Sequence, residues 1–94
     1  YGGEEFIVLL PGTDNSSGEL LAERIRRAIA ASPFLLPNGE EVSITVSIGI
    51  AGITPDRDEA DLKTVGDALI ARADVALYRA KSGGRDQVEV ARDE

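Results

Sequence analysis

Hydrophobic residues along this chain fall into blocks whose spacing changes from one block to the next. Phe6-Ile7-Val8-Leu9-Leu10 is an unbroken apolar run closed by Pro11-Gly12. A short run bounded by turn residues predicts a strand buried on both faces. Gly2-Gly3 just ahead of it supplies a tight turn, because glycine accepts positive φ freely; the other strand of that turn would lie upstream of Tyr1. Asn15-Ser16-Ser17-Gly18-Glu19 opens a helix, with Ser16 and Glu19 spaced as a capping box. Leu21, Ile25, Ala28 and Ile29 follow at i, i+4, i+7 and i+8, one apolar stripe, while Glu23 and Arg27 are placed to pair on the outer face. Ser32-Pro33 stops this helix.

Pro37-Asn38-Gly39 signals a turn. Val42, Ile44, Val46, Ile48 and Ile50 then alternate with Ser43, Thr45, Ser47, Gly49 and Ala51, a period of two that predicts a strand. The second face of that strand carries only small side chains, so a helix or another backbone can approach it closely. Thr54-Pro55-Asp56-Arg57-Asp58 reads as a polar loop. A long helix is predicted from about Thr64 to Ser82, buried along Leu69, Ala73, Ala76, Leu77 and Ala80. Gly66 costs about 1 kcal/mol inside a helix, which places the true start near it. Gly83-Gly84 ends the helix, and Gln87-Val88-Glu89-Val90 predicts a last strand. The order strand, helix, hairpin, strand, helix, strand describes an α+β fold, an α/β sandwich with a mostly antiparallel sheet flanked by helices.

At 94 residues the chain is at most one domain. It opens on Tyr1 rather than Met and reads as a segment of something longer. Apolar residues at 43% and charged residues at 29% are ordinary for a folded domain. The chain contains no run of 18 apolar residues, so this segment is expected not to insert into a membrane. It has no cysteine and no histidine, which excludes Ser-His-Asp and Cys-His catalysis and His/Cys zinc sites within it. Any metal would rest on carboxylates and carbonyls, which suit Mg²⁺, Mn²⁺ or Ca²⁺. The net charge of −7 disfavours a broad nucleic-acid surface. Basic residues gather late, at Arg72, Arg79, Lys81, Arg85 and Arg92. They are too few to grip DNA and enough to pair with a few phosphate oxygens.

Two constellations carry chemistry. Gly2-Gly3-Glu4-Glu5-Phe6 sets adjacent carboxylates beside a turn whose bare backbone can hydrogen-bond a phosphate, and carboxylates can hold the hard cation that neutralises it. In a plain strand the two side chains point to opposite sides, so one would have to sit in the turn. The same residues also fit a solvated hairpin tip with two surface glutamates. The second constellation runs from Arg72 to Arg85. Asp74, Tyr78 and Lys81 lie along one helical stripe, and Arg85 stands just past the glycine stop. Lys81 and Arg85 suit a polyphosphate, one as a point charge and one as a fork; they equally suit the negative end of the helix dipole. Tyr78 reads as core or rim packing and Asp74 as structural.

Gly2-Gly3-Glu4-Glu5-Phe6 resembles the signature of the GGDEF family of diguanylate cyclases in its GGEEF form. Val46-Ser47-Ile48-Gly49-Ile50-Ala51 resembles the family's SxGxA strand. Ala73-Asp74, Ala76-Leu77-Tyr78, Ala80-Lys81 and Gly84-Arg85 resemble its ADxALYxAKxxGR helix. Three motifs in order, over the whole chain, identify residues 1–94 as the C-terminal portion of one such domain. The resemblance implies a fold like the palm of nucleotide cyclases and polymerases, with its N-terminal part lying before Tyr1. That part would hold a metal-binding Asp, the guanine contacts and an RxxD product-inhibition site. The resemblance further implies that Gly2 and Gly3 line the GTP phosphates. Glu4 and Glu5 would be the catalytic and metal-binding carboxylates, with Mg²⁺ or Mn²⁺, and Lys81 and Arg85 would bind the terminal phosphates. Two GTP would condense to cyclic di-GMP and two pyrophosphates in a cytoplasmic homodimer controlled by an upstream sensory or regulatory domain, whether or not the parent protein is membrane-anchored. A catalytically inactive GTP- or partner-binding regulatory module is the alternative, and the isolated 94 residues are expected to be inactive.

Overall fold

The computed structural model describes residues 5–53 and 62–92. Gly2, Gly3 and Glu4, with the turn they were expected to form, lie outside the described residues, as does the loop expected at 54–58. The elements are α1 (Asn15–Ala30), β1 (Phe34–Leu35), β2 (Glu41–Val42), β3 (Ile48–Ile50), α2 (Leu62–Ser82) and β4 (Val88–Val90).

β3 and β4 form a parallel pair, with Ile48 opposite Val88, Gly49 opposite Glu89 and Ile50 opposite Val90. The ladder extends at both ends: the Ile48 N–H donates to the Gln87 carbonyl at 3.0 Å, and the Ala91 N–H to the Ile50 carbonyl at 2.7 Å. Parallel strands cannot be joined by a tight turn and need a crossover, which α2 supplies. Both helices touch β3 and β4 and neither touches the other, so they cover opposite faces of the pair. Among the described residues the fully buried positions are Ala76 and Ala80, both at 0% exposure on α2, with Ala22 of α1 nearly so. Leu69, Ala73 and Leu77 are half-buried along the same stripe, as the spacing predicts.

The closest approach is at Gly49. A Cβ placed there would lie 2.8 Å from the Leu77 Cα and closer still to the Leu77 nitrogen and the Ala73 carbonyl. Only a bare residue lets the strand lie directly on the helix backbone. The small-residue face of this strand therefore does what its composition allows.

The hairpin is where Pro37-Asn38-Gly39 places it. β1 and β2 pair antiparallel, Phe34 opposite Val42 and Leu35 opposite Glu41. The Gly39 N–H donates to the Leu36 carbonyl at 2.9 Å, and the Asn38 side-chain oxygen accepts from the Glu40 N–H at 3.0 Å. Gly39 has φ +89°, a conformation other residues adopt at a cost.

Four local expectations are corrected. The predicted strand at Phe6–Leu10 is neither a strand nor buried: these residues are irregular and Phe6 is 87% exposed. A ladder needs a partner, and among the described residues none pairs with this run. The predicted long strand from Val42 to Ala51 is divided into β2 and β3 with irregular chain between them, because partners reach it only at its two ends. The cap of α1 is Asp14 rather than Ser16, its carboxylate accepting from the Ser17 N–H at 2.8 Å. The packed face of α1 runs through Gly18, Leu21, Ala22, Arg26 and Ile29, leaving Ile25 and Ala28 exposed. Glu23 and Arg27 do pair, at 3.1 Å. On α2, Gly66 lies four residues inside the helix, with nothing among the described residues near the place a Cβ would take.

Candidate active site

Glu5 of the first constellation and Lys81 of the second meet. The Lys81 ammonium lies 3.3 Å from a Glu5 carboxylate oxygen although 76 residues separate them. Both side chains are about one-third exposed, Lys81 at 36% and Glu5 at 34%, so the pair is reachable by a solute. Lys81 stands in the last turn of α2, on the flank of the buried Ala76–Ala80 stripe. Helix packing on β3 therefore sets the direction in which its ammonium reaches.

The end of α2 is tied off by a Schellman arrangement. The Arg85 N–H donates to the Ala80 carbonyl at 2.9 Å and the Gly84 N–H to the Lys81 carbonyl at 3.5 Å, with Gly84 at φ +120°. Gln87 adds a side-chain hydrogen bond to the same Ala80 carbonyl at 2.9 Å. These bonds bring Arg85 back onto the helix end that carries Lys81, leaving its side chain in solvent.

Arg85 and Asp86 both hold left-handed backbone, at φ 63° and 48°. Such residues cost about 1–2 kcal/mol each relative to ordinary backbone, less for Asp than for Arg. They persist where neighbouring contacts leave no alternative. The neighbours here are Ser47, whose hydroxyl accepts the Asp86 N–H at 3.2 Å, and Arg26 of α1, whose guanidinium donates to the Asp86 carboxylate at 2.7 Å. Arg26 also grips Glu23 through two of its nitrogens. The hydrogen bond from Arg26 holds the Glu23 carboxyl below the usual carboxylate range. The same contacts, with Glu23 first and Asp86 second, raise the Arg26 guanidinium, which stays charged throughout.

The other expected site residues are placed plainly. Asp74 is exposed on α2, and Tyr78, expected as core or rim packing, is 71% exposed. Gly2, Gly3 and Glu4 lie outside the described residues. Arg26 and Asp86 were not singled out from the sequence, and Ser47 was read only as the serine of the SxGxA strand. Arg26 and Asp86 are 60 residues apart, and no short-range spacing signals such a pair. The available hint was that Arg26 falls in line with Gly18 and Ala22, a charged residue in a stripe of small ones.

The chain matches the family model described as "Diguanylate cyclase, GGDEF domain" over residues 1–87. The chain belongs to the GGDEF family. It is 53% identical over 91 residues to the diguanylate cyclase DgcP of Pseudomonas aeruginosa, covering 97% of this chain and 12% of that protein. It is 39% identical over 89 residues to the response regulator PleD of Caulobacter vibrioides, covering 94% of this chain and 18% of PleD. This GGDEF chain thus spans less than one-fifth of the length of these curated relatives. The solved GGDEF domain of DgcB from Caulobacter crescentus, in complex with c-di-GMP, superposes with a TM-score of 0.75 at 31% identity, over 89% of this chain and 45% of that one. The palm-like fold implied by the sequence motifs is therefore the fold of this GGDEF segment, helices on the faces of a small sheet. Among the described residues no helix is long and apolar enough to cross a membrane.

A divalent cation would find few protein ligands here among the described residues. Among the described residues no group of three or more carboxylates gathers at one point. Glu5 offers one partly exposed carboxylate next to an ammonium. Mg²⁺ commonly takes one or two carboxylates and fills its shell with phosphate oxygens and water. A single partly exposed carboxylate beside an ammonium suits that pattern, so the described residues fit a divalent ion that completes its shell with phosphate and water and do not make a stand-alone cage.

Proposed function

We propose that these 94 residues are the C-terminal portion of a single GGDEF domain that, when complete, condenses two GTP into cyclic di-GMP and releases two pyrophosphates. The observation that carries this reading is the Lys81–Glu5 contact at 3.3 Å. It joins a cation suited to phosphate to a carboxylate suited to metal, from opposite ends of the chain, at one accessible place.

In the proposed reaction the 3′-OH of one GTP attacks the α-phosphorus of the other, the bond to the bridging oxygen breaks, and pyrophosphate leaves; a second round closes the ring. Gly2 and Gly3 would let the phosphates approach the backbone. Lys81 and Arg85 would hold the terminal phosphates and stabilise the charge that grows on the departing pyrophosphate. Glu4 and Glu5 would hold Mg²⁺ or Mn²⁺, which when bound supplies charge neutralisation and a more acidic 3′-OH. Glu4 would also be the catalytic carboxylate, taking the proton that the attacking 3′-OH loses. A triphosphate arriving at Lys81 competes with Glu5 for its ammonium. Each domain carries one GTP, so two domains must face each other as a homodimer. The domain acts in the cytoplasm under an upstream regulatory domain.

Full-length protein supplied with GTP and Mg²⁺ should release pyrophosphate and form cyclic di-GMP, followed by chromatography of the nucleotide products. The Glu4→Ala variant should not. Equal product from both proteins, or from neither, overturns the reading. GTP binding without product would select the inactive regulatory module.

A further inference from the structure

Arg85 is the more exposed of the two cations assigned to phosphate, and the least directly held. Its side chain stands in solvent, and its backbone is left-handed at φ 63°, followed by Asp86 at φ 48°. Two consecutive non-glycine residues in this region do not stay there by themselves. Asp86 is fixed from two sides, by the Ser47 hydroxyl at 3.2 Å and by the Arg26 guanidinium at 2.7 Å. Ser47 immediately precedes β3 and Arg26 lies on α1, so the turn that presents Arg85 is fastened to both neighbouring elements. Arg26 is itself pre-set by Glu23 one turn earlier, leaving a planar fork aimed at Asp86.

We infer that Arg26 is a positioning residue: by gripping Asp86 it holds the left-handed turn that presents the Arg85 guanidinium to the substrate phosphates. This rests on the proposed role of Arg85, and Arg26 itself touches no substrate. Without the grip, Asp86 and Arg85 can relax to ordinary backbone, and Arg85 must be ordered afresh each time a nucleotide binds. The consequence falls on substrate binding rather than on the chemical step.

The test is a mutant cycle in the full-length protein, read as kcat and KM for GTP. Arg85→Ala should raise KM roughly tenfold, the usual size of one charge-assisted contact. Arg26→Ala should raise KM several-fold with kcat within about twofold. The double variant should be no worse than Arg85→Ala alone, because Arg26 acts only through Arg85. Arg26→Lys should recover part of the loss, since one ammonium can reach Asp86 but cannot span Asp86 and Glu23 together. Asp86→Asn keeps the tolerance for left-handed backbone while removing the charge; it should shift KM in the same direction and carries the same cycle if Arg26→Ala does not fold. Multiplicative effects of Arg26 and Arg85, or a fall in kcat at unchanged KM, overturn the inference and leave the proposed role of Arg85 intact. An unchanged KM in Arg85→Ala removes that role itself, and the inference with it.

Discussion

Lys81 and Glu5 face each other at 3.3 Å across 76 residues of chain, each about one-third exposed. An ion pair this open contributes little to folding, about 0–1 kcal/mol. On the proposed function its value is as a place where charge is exchanged with the nucleotide. Lys81→Ala in the full-length protein should therefore leave the melting temperature nearly unchanged and weaken GTP binding roughly tenfold, measured by titration calorimetry at fixed Mg²⁺. Lys81→Arg should lose less. Unchanged affinity in Lys81→Ala would remove this residue from the site.

Two glycines should respond to alanine with opposite signs. At Gly49 a methyl group would press into the Leu77 and Ala73 backbone, which can yield only by separating α2 from β3. Gly49→Ala should cost about 3 kcal/mol, at the upper end for overpacking. At Gly66 a methyl group meets nothing within 4 Å among the described residues, and alanine is the better helix former. Gly66→Ala should stabilise by about 0.5–1 kcal/mol. Urea denaturation of the two variants beside the parent checks both.

Gly84→Ala tests the helix stop. Its φ of +120° suits glycine alone, so alanine should cost about 1–2 kcal/mol. Because the same turn carries Arg85, the variant should also raise KM for GTP, and steady-state kinetics at a temperature well below melting separates the two effects.

The acid limb of stability should trace to two carboxylates. Glu23 is held below its usual range by the hydrogen bond from Arg26, and Asp14 by the Ser17 N–H it caps. A carboxylate lowered in the folded state contributes fully above its unfolded value, about 4.3 for Glu and 3.9 for Asp. That contribution is lost as pH falls through the lower folded value. The melting temperature should thus be insensitive to these groups above pH 5 and fall below pH 4. The gap between the parent and Glu23→Gln should close over the same interval; a gap that stays constant from pH 7 to pH 3 contradicts the assignment.

The legible features of this chain were those with a local cause. The limits of α2, its buried alanine stripe, the Pro37-Asn38-Gly39 turn and the bare face at Gly49 each follow from a few adjacent residues. The contact of Lys81 with Glu5 was legible through the motifs on which both lie. Whatever depended on a distant partner was less so. Phe6–Leu10 has the composition of a buried strand, but composition does not supply a neighbour to hydrogen-bond with. The alternation from Val42 to Ala51 reports which faces could be buried and is silent on how far a partner strand extends. Ser16 and Asp14 are both good caps, and the choice between them turns on one residue's difference in where the first turn closes. The parallel pairing of β3 with β4 is a matter of topology. The Arg26–Asp86 grip joins two loosely spaced charges that only the folded chain brings together.

Contact between β3 and α2 through main chain at Gly49 has a consequence for how finely the cationic end of the helix is aimed. Most helices rest on sheets through interlocked side chains, and each conservative swap in that layer tilts or lifts the helix slightly. Here the strand serves as a rail, with no deformable spacer at the point of contact. Drift among the larger residues at the margins, such as Leu69, should be absorbed locally, without steering Lys81 away from Glu5.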